Sequence, residues 1–404
     1  MAGTLNISGR GRLMPASPIR KLVPLADAAR ARGVKVYHLN IGQPDVETPE
    51  TMLAAYRDLD LKVLGYGPSG GLYSYVDALV RYYAGVGIEL TKEDILVTTG
   101  GSEAVLFAYQ ALTDPGDEVI IPEPFYTNYA GLAVMCGIKV VPVTARVEDN
   151  FALPPKPEFE KLITPRTKAI VFSNPGNPTG VVYTAGELAM LRELALERDL
   201  FLVADEVYRE FIYDPADVHH SVLNLAGLDD RAVMVDSVSK RYSACGARVG
   251  CIVTRNRELG AAFLRLGQSR LCPPTVDQLA AQAAVDTPAD YFRAVRDEYR
   301  ARRDLLCREL CSIEQVFCLT PKGAFYTIAR LPVDDAEEFA RFLLEEFSYE
   351  GETVMVAPAA GFYATPGAGR NEVRIAYVLN TADLARAMVV LKHGLAEYRG
   401  KKGV

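Results

Sequence analysis

The chain has 404 residues, 49% hydrophobic and 24% charged, with a net charge of -7 at pH 7. This length and composition give enough apolar surface for two packed domains, and the negative charge argues against nucleic acid or anionic membranes as partners. No apolar run approaches the roughly 20 residues of a membrane span, and the N-terminus lacks the apolar core of a signal peptide. We therefore expect a cytoplasmic protein with no membrane partner.

The predicted strands are apolar runs that alternate with helical patterns. Helices are predicted at Glu103–Leu112 and Glu187–Arg198, with turn residues between the elements. The alternation predicts an α/β fold with a mostly parallel sheet between helices, whose ligands bind beyond the carboxyl ends of the strands. The predicted strands are Ile95–Thr99, Glu118–Ile121, Lys168–Phe172, Phe201–Ala204, Ala232–Val235 and Cys251–Thr254.

Two polar features lie near the predicted strands. The string Asn174-Pro175-Gly176-Asn177-Pro178-Thr179-Gly180 predicts a rigid turn, which is either a surface connection or a support that aims the amide of Asn177. Arg374 interrupts an apolar, strand-like run and is either a half-buried arginine on an edge strand or a binding residue.

Two further residues follow predicted strand ends. Asp205 is either a helix N-cap or a carboxylate for the protonated ring nitrogen of a bound pyridine. Lys240 lies just after two serines and is followed by small residues and Arg248. Desolvation and a neighbouring cation would disfavour its ammonium form and leave a nucleophilic amine. A solvated loop lysine is the alternative.

The seven cysteines and four histidines show no spacing typical of a metal site. Cys307 and Cys311 can share a helix face, but no histidine lies near them to complete a zinc site. We predict buried free thiols, as in a reducing compartment, and no metal.

In this order, the segments around Asn177, Asp205, Lys240 and Arg374 resemble the fold-type I pyridoxal-phosphate enzymes, specifically class I/II aminotransferases of the aspartate aminotransferase type. The resemblance begins near Leu39–Asp45 and covers nearly the whole chain. It implies a large domain that binds pyridoxal 5'-phosphate on a seven-stranded, mostly parallel sheet. A smaller α/β domain is formed by the two ends of the chain. The implied division is 1–45 for the N-terminal arm and part of the small domain, 46–290 for the large domain and 291–404 for the C-terminal small domain.

The resemblance implies a site for the cofactor phosphate. Gly101 and Ser102 run from a strand into a helix, whose free amides and dipole favour an anion. A plain strand–helix turn is the alternative. Ser237, Ser239 and Arg248 are implied to complete the site, since the planar guanidinium matches phosphate oxygens.

The resemblance also implies contacts to the cofactor ring. Tyr126 is implied to stack on the ring, while its neighbour Tyr129 has core packing as its alternative. Asn177 and Tyr208 are implied to contact the phenolic oxygen of the ring. Asp205 is implied to keep the ring nitrogen protonated, so that the ring withdraws electrons from the substrate.

The remaining implied roles concern the substrate and a second subunit. Lys240 is implied to hold the cofactor covalently and, once freed, to act as general base and then general acid. Arg374 is implied to bind the substrate α-carboxylate, assisted by Asn177 and the backbone of Gly42. Tyr66 matches a family tyrosine that reaches the neighbouring subunit's phosphate, which implies a homodimer with shared active sites.

Substrate preference is the property that the resemblance specifies least. Many relatives place a lysine after the Gly-Gly turn to meet a side-chain carboxylate, and this chain has Ser102 there. Arg270 lies in a region that borders the partner subunit's site in relatives, and it either supplies that cation or is a surface arginine. We expect a ping-pong transfer of an amino group between L-aspartate and 2-oxoglutarate. The alternatives are a transaminase for aromatic or neutral amino acids, a carbon–sulfur β-lyase and, more distantly, a non-enzymatic regulator.

Overall fold

All six predicted strands are present in a computed structural model that describes residues 6–403. The strands are β1 (Lys35–His38), β2 (Ile95–Thr98), β3 (Glu118–Glu123), β4 (Lys139–Thr144), β5 (Thr167–Ser173), β6 (Phe201–Asp205), β7 (Ala232–Ser237), β8 (Gly250–Val253), β9 (Phe317–Cys318), β10 (Tyr326–Arg330), β11 (Glu352–Met355), β12 (Ala357–Pro358) and β13 (Glu372–Ala376). The predicted six are β2, β3, β5, β6, β7 and β8.

Both predicted helices are present and begin two residues earlier than predicted. The capping box of Thr184 and Glu187 starts the second one. The helices are α1 (Gly9–Leu13), α2 (Val23–Ala31), α3 (Glu50–Arg57), α4 (Tyr73–Gly85), α5 (Gly101–Leu112), α6 (Asn128–Cys136), α7 (Lys156–Glu160), α8 (Ala185–Arg198), α9 (Val238–Arg241), α10 (Arg257–Ser269), α11 (Thr275–Ala284), α12 (Ala289–Cys311), α13 (Ala336–Glu345) and α14 (Thr381–Lys402).

A seven-stranded sheet runs in the order β2-β8-β7-β6-β5-β3-β4. Its neighbours are parallel except for β8, which is antiparallel to both β2 and β7. The predicted fold class, an α/β protein with a mostly parallel seven-stranded sheet, is confirmed. The register places Ser173 beside Asp205 and Asp205 beside Val235, so the carboxyl ends of β5, β6 and β7 form one edge.

The central strands of this sheet are apolar on both faces. Ile170 and Leu202 belong to the hydrophobic cluster on one face, whereas Val171 and Val203 belong to the cluster on the other. Strands covered on both sides by helices need such continuous apolar runs. This requirement is why β5 and β6 could be recognised in the sequence.

The smaller part of the structure contains a parallel pair, β1 and β11, and a four-stranded sheet in the order β12-β13-β10-β9. Strand β13, which carries Arg374, pairs with β12 on one side and β10 on the other. The edge-strand interpretation of Arg374 is therefore wrong. A third hydrophobic cluster fills this part of the structure. We propose that 1–45 and 291–404 form a domain around it and that 46–290 form the large domain.

The cysteines are all free, and Cys251, Cys307 and Cys318 are buried. Cys136, Cys245 and Cys272 are partly exposed and Cys311 is exposed, so the prediction of buried thiols is correct for three of the seven cysteines. Within residues 6–403, no helix combines the length and the apolarity that crossing a bilayer requires.

Candidate active site

A pocket of about 610 Å³ opens at the carboxyl ends of β5, β6 and β7, and residues of β10 and β13 close its other side. The pocket brings together side chains from distant parts of the chain. All the predicted site residues line it except Tyr66 and Arg270. Those lining it are Gly42, Gly101, Ser102, Tyr126, Asn177, Asp205, Tyr208, Ser237, Ser239, Lys240, Arg248 and Arg374.

Lys240 lies in the short helix α9, immediately after β7, and its amine points into the pocket. Its Nζ donates hydrogen bonds to the carbonyl oxygen of Gly42 at 2.9 Å and to the sulfur of Cys245 at 3.5 Å. Burial lowers the pKa of the amine, but Tyr326, Cys245 and Tyr126 outweigh burial and raise it above that of an ordinary lysine. The expectation of a lowered pKa is therefore not met. The solvated-loop interpretation is also wrong, since the amine is enclosed.

Asp205 ends β6, and its carboxylate faces the same pocket. The hydroxyl of Tyr129 donates to its Oδ2 at 2.6 Å, and the backbone amide of Val207 donates to its Oδ1 at 3.3 Å. Burial raises the pKa of Asp205 to about 6 even though both hydrogen bonds oppose that rise. A cationic ligand group beside this carboxylate would favour its ionised form. Residues 207–210 form turns rather than a helix, so the N-cap interpretation is wrong.

Tyr129 is a site residue that the sequence interpretation left as core packing. It is buried and forms edge-to-face contact with Tyr126, with ring centroids 5.6 Å apart. Its hydroxyl reaches Asp205 across 76 positions of sequence. The only signal in the sequence was the spacing of two tyrosines, Tyr126 and Tyr129, near the start of one helix. That spacing does not identify Asp205 as the hydrogen-bond partner.

Four buried charged residues form an ion-pair network beneath the strand ends. Arg209 pairs with Glu206 at 2.8 Å and with Asp236 at 3.3 Å, and Arg241 also pairs with Asp236. Buried charges persist where they are paired in this way. Asp236 precedes Ser237 and Arg241 follows Lys240, so the network fixes both ends of the segment that carries the lysine.

Several hydrogen-bond donors that line the pocket with Lys240 are suited to an anion. Gly101 and Ser102 begin α5, and the hydroxyls of Ser237 and Ser239 lie 2.9 Å apart beside it. Arg248 donates to the Ser239 hydroxyl at 3.5 Å and to the Thr99 carbonyl at 3.3 Å. Free helix amides, two hydroxyls and a guanidinium are the donors that a phosphate monoester requires.

Gly100 allows Arg248 to approach the start of α5. Gly100 has φ +77°, and a Cβ there would lie 2.3 Å from Nη2 of Arg248. We expect Gly100→Ala to weaken phosphate-ester binding by about tenfold or more, because a displaced guanidinium loses a charge-assisted hydrogen bond. Gly87→Ala is the matched control, since Gly87 has the same φ of +77° and open space around it.

Thermal unfolding of both variants measures the cost to the fold, which should be larger for Gly100→Ala, because φ +77° with ψ 173° is a combination essentially restricted to glycine. Titration of each variant with pyridoxal 5'-phosphate separates strain from loss of the site. Equal affinity of the two variants would contradict this role of Gly100.

Arg374 and Asn177 meet on the opposite wall. Nη1 of Arg374 donates to the Asn177 side-chain oxygen at 3.1 Å, and Nη2 donates to the carbonyl of Asn40. The guanidinium lies over the rings of Tyr326 and Phe362, whose centroids are 4.6 and 4.8 Å away. Its Nε is buried without a protein partner within the described residues. Such a cation, with no carboxylate beside it, is suited to an anionic ligand.

Tyr326 is a second residue that sequence reasoning missed. Its hydroxyl lies 2.9 Å from the Tyr208 hydroxyl and 3.4 Å from the Gly42 carbonyl. A Cβ on Gly42 would lie 1.8 Å from that hydroxyl, which is why the position requires glycine. Tyr326 belongs to β10, and nothing in its local pattern separates it from an ordinary strand tyrosine.

Tyr66 and Arg270 lie outside the pocket and line a neighbouring groove. Tyr66 is 84% exposed. Arg270 pairs with Glu103 at 3.2 Å and donates to the carbonyl of Val97 at 3.0 Å. Glu103 also accepts from the backbone of Thr99 at 2.7 Å. The predicted role of both residues concerns a pocket of a second subunit and stays a prediction.

Comparison with known proteins agrees with this geometry. The family described as "Aminotransferase class I and II" matches residues 34–391. The chain belongs to the class I and II aminotransferases. It is therefore a transaminase, and membership implies pyridoxal 5'-phosphate as cofactor. The residues around Lys240 fit that group. Hydrogen-bond donors suited to its phosphate and a buried carboxylate suited to its ring nitrogen line the same pocket as the amine.

Three named proteins illustrate how similar this aminotransferase is to other members of the family. An aspartate aminotransferase of Bacillus subtilis is 32% identical over 91% of this chain and 93% of its own length. Aromatic-amino-acid aminotransferase 2 of Thermococcus litoralis is 30% identical over 97% of this chain and 98% of its own. The structure of Thermus thermophilus aspartate aminotransferase with maleate superposes with a TM-score of 0.88 at 30% identity, covering 97% of this chain and 100% of that one.

Proposed function

We propose that this aminotransferase transfers the amino group of L-aspartate to 2-oxoglutarate in a ping-pong reaction, with pyridoxal 5'-phosphate bound through Lys240. The observation that carries the proposal is the convergence of Lys240, Asp205, Arg248 and Arg374 on one pocket. Relatives named aspartate aminotransferase support the choice of aspartate.

Each polar group of the pocket has a distinct task under this proposal. Gly101, Ser102, Ser237, Ser239 and Arg248 hold the phosphate. The carboxylate of Asp205 would pair with the protonated ring nitrogen. The hydroxyl of Tyr129, which donates to that carboxylate, would fix its orientation. When bound, the cofactor supplies an electron-withdrawing ring that takes up the electron pair left at the substrate α-carbon.

The substrate is oriented by the opposite wall. Arg374 binds the α-carboxylate through the free face of its guanidinium, next to the amide of Asn177. The amine of Lys240 removes the α-proton as general base and then returns a proton as general acid. Tyr126 would pack on the ring, and Tyr208 and Asn177 would contact its phenolic oxygen. Fixed orientation of this kind contributes to turnover as well as to binding.

A homodimer completes the proposed site. Val63, Leu64 and Tyr66 lie in one segment and are 82%, 64% and 84% exposed, and Tyr73, seven residues after Tyr66, is 75% exposed. An apolar surface of this kind is typical of an interface. We propose that a second copy covers it, with Tyr66 reaching the phosphate of the partner's pocket and Arg270 bordering its substrate side.

A second substrate class has its own support. Tyr126, Tyr129, Tyr208 and Tyr326 all line the pocket, and the relative from Thermococcus litoralis is named for aromatic amino acids. Aromatic side chains pack well against such walls. Phenylalanine and tyrosine are therefore the alternative amino donors.

A scan of half-reactions tests the proposal. The cofactor-loaded enzyme is mixed with one amino acid at a time, and the change in cofactor absorbance gives kcat/KM for each. We expect aspartate and glutamate to exceed phenylalanine and alanine by about tenfold or more, the value of one charge-assisted hydrogen bond. If kcat/KM for phenylalanine is higher than that for aspartate, aromatic amino acids replace aspartate as the proposed amino donors. Release of pyruvate and ammonia without an oxo acid would indicate a lyase.

A further inference from the structure

The pocket contains one more cation than the proposed roles require. Its lining includes four basic side chains, Lys240, Arg248, Arg374 and Arg20, and a single acid, Asp205. Lys240 carries the cofactor, Arg248 faces the phosphate and Arg374 faces the α-carboxylate. Arg20 has no role among these.

Arg20 is available for a ligand. It belongs to the turn that leads from the N-terminal segment into α2, and its side chain is exposed at the pocket wall. Within residues 6–403 its guanidinium has neither an ion-pair partner nor a hydrogen-bond acceptor, whereas the neighbouring Lys21 pairs with Glu337. An arginine without a partner beside a pocket that receives anions is a candidate for binding a carboxylate or phosphate.

The turn that carries Arg20 is held against the substrate wall. The backbone amides of Arg20 and Lys21 donate to the Ser17 carbonyl at 3.1 and 3.0 Å. The side chain of Asn40 donates to the carbonyl of Ile19 at 2.9 Å. The carbonyl of the same Asn40 accepts from Arg374. One asparagine therefore links the backbone next to Arg20 to the α-carboxylate cation.

The packing of Pro18 also fixes this turn. A Cβ on Gly361 would lie 2.3 Å from the Pro18 ring, so the turn lies directly on the segment Ala359–Phe362. Phe362 in turn packs on the guanidinium of Arg374. The position of the Arg20 backbone is thus set by the same residues that set Arg374.

We propose that Arg20 binds the side-chain carboxylate of acidic substrates and so determines the preference for dicarboxylic amino and oxo acids. This inference rests on the proposed function. A dicarboxylate substrate brings two carboxylates, and the two cations not needed for the cofactor are Arg374 and Arg20. Neutral substrates use Arg374 alone.

The two other positions considered for this carboxylate are less suitable within one chain. Ser102 carries no charge. Arg270 is held by Glu103 and by backbone carbonyls, and it lines a different groove. Arg20 lines the substrate pocket itself and has no competing carboxylate.

The test compares the variants Arg20→Gln, Arg20→Lys and Arg270→Gln. Lys21→Gln is the matched control, because Lys21 is the adjacent cation and pairs with Glu337 outside the pocket. Half-reactions are measured with aspartate and alanine. Calorimetric titration of the cofactor-loaded enzyme with succinate and butyrate gives the binding of a dicarboxylate and its monocarboxylate counterpart. We expect Arg20→Gln to lower kcat/KM for aspartate and affinity for succinate about tenfold or more. Values for alanine and butyrate should stay within about twofold, and Arg20→Lys should recover part of the loss, since a lysine keeps the charge but not the fork.

The outcomes separate this inference from the proposed function. If the wild type prefers aspartate and the Arg20→Gln variant keeps that preference, the role of Arg20 is overturned and the proposed function stands. Selective loss in Arg270→Gln instead would assign the carboxylate to Arg270. If the wild type prefers neutral amino acids yet binds succinate through Arg20, the substrate assignment fails and the carboxylate site stands. Equal binding of succinate and butyrate by the wild type overturns both.

Discussion

Lys240→Ala is expected to lower the rate of transamination by at least about 10⁴-fold, because under the proposed function one side chain both holds the cofactor and moves the α-proton. The protein should still fold, since the buried ion pairs of Arg209 and Arg241 and the hydrophobic clusters do not involve the amine. Activity is measured from product formation with saturating cofactor, and folding from circular dichroism and thermal unfolding.

Lys240→Arg is the control for charge. It keeps a cation near the Gly42 carbonyl, which accepts from the amine at 2.9 Å, but arginine stays protonated and cannot act as nucleophile or base. We expect this variant to be as inactive as the alanine variant. Substantial activity in either variant would mean that another group carries the chemistry.

Arg374→Gln is expected to lower kcat/KM for every amino acid by about 10²–10³-fold, because truncating one member of a buried charge pair costs about 2–5 kcal/mol. Cofactor affinity should change much less than kcat/KM, since Arg374 donates to Asn177 and Asn40 and not to the residues proposed to hold the phosphate. Half-reaction kinetics and cofactor titration measure the two effects separately.

Arg330→Gln is the matched control for Arg374. Arg330 lies on the adjacent strand β10 and pairs at the surface with Glu148. Its replacement should leave the kinetics unchanged, since exposed pairs contribute about 0–1 kcal/mol. A loss limited to one amino acid in Arg374→Gln, or an equal loss in the Arg330 variant, would contradict the α-carboxylate role.

The strands of the large sheet could be predicted because burial on both faces demands continuous apolar runs. Their carboxyl ends could not be placed from hydrophobicity alone. Strands β6 and β7 continue to Asp205 and Ser237, polar residues that still pair in the sheet. Both of these terminal residues face the ligand pocket.

Contacts between distant segments were beyond local patterns. The Tyr129 hydroxyl meets Asp205, the Tyr208 hydroxyl meets Tyr326, and Arg20 reaches the pocket from the N-terminal segment. Each depends on how separate elements pack, and no periodicity in the sequence encodes such a pairing. The direction of the Lys240 pKa shift failed for the same reason, since the tyrosines that raise it come from other elements.

Reduction of the cofactor-loaded enzyme with borohydride, followed by peptide mapping, tests the central claim most directly. The account predicts a single pyridoxyl-modified peptide, with the label on Lys240 and none on Lys21 or Lys322. Label on a different lysine, or no covalent label in an enzyme that still transaminates, would contradict it.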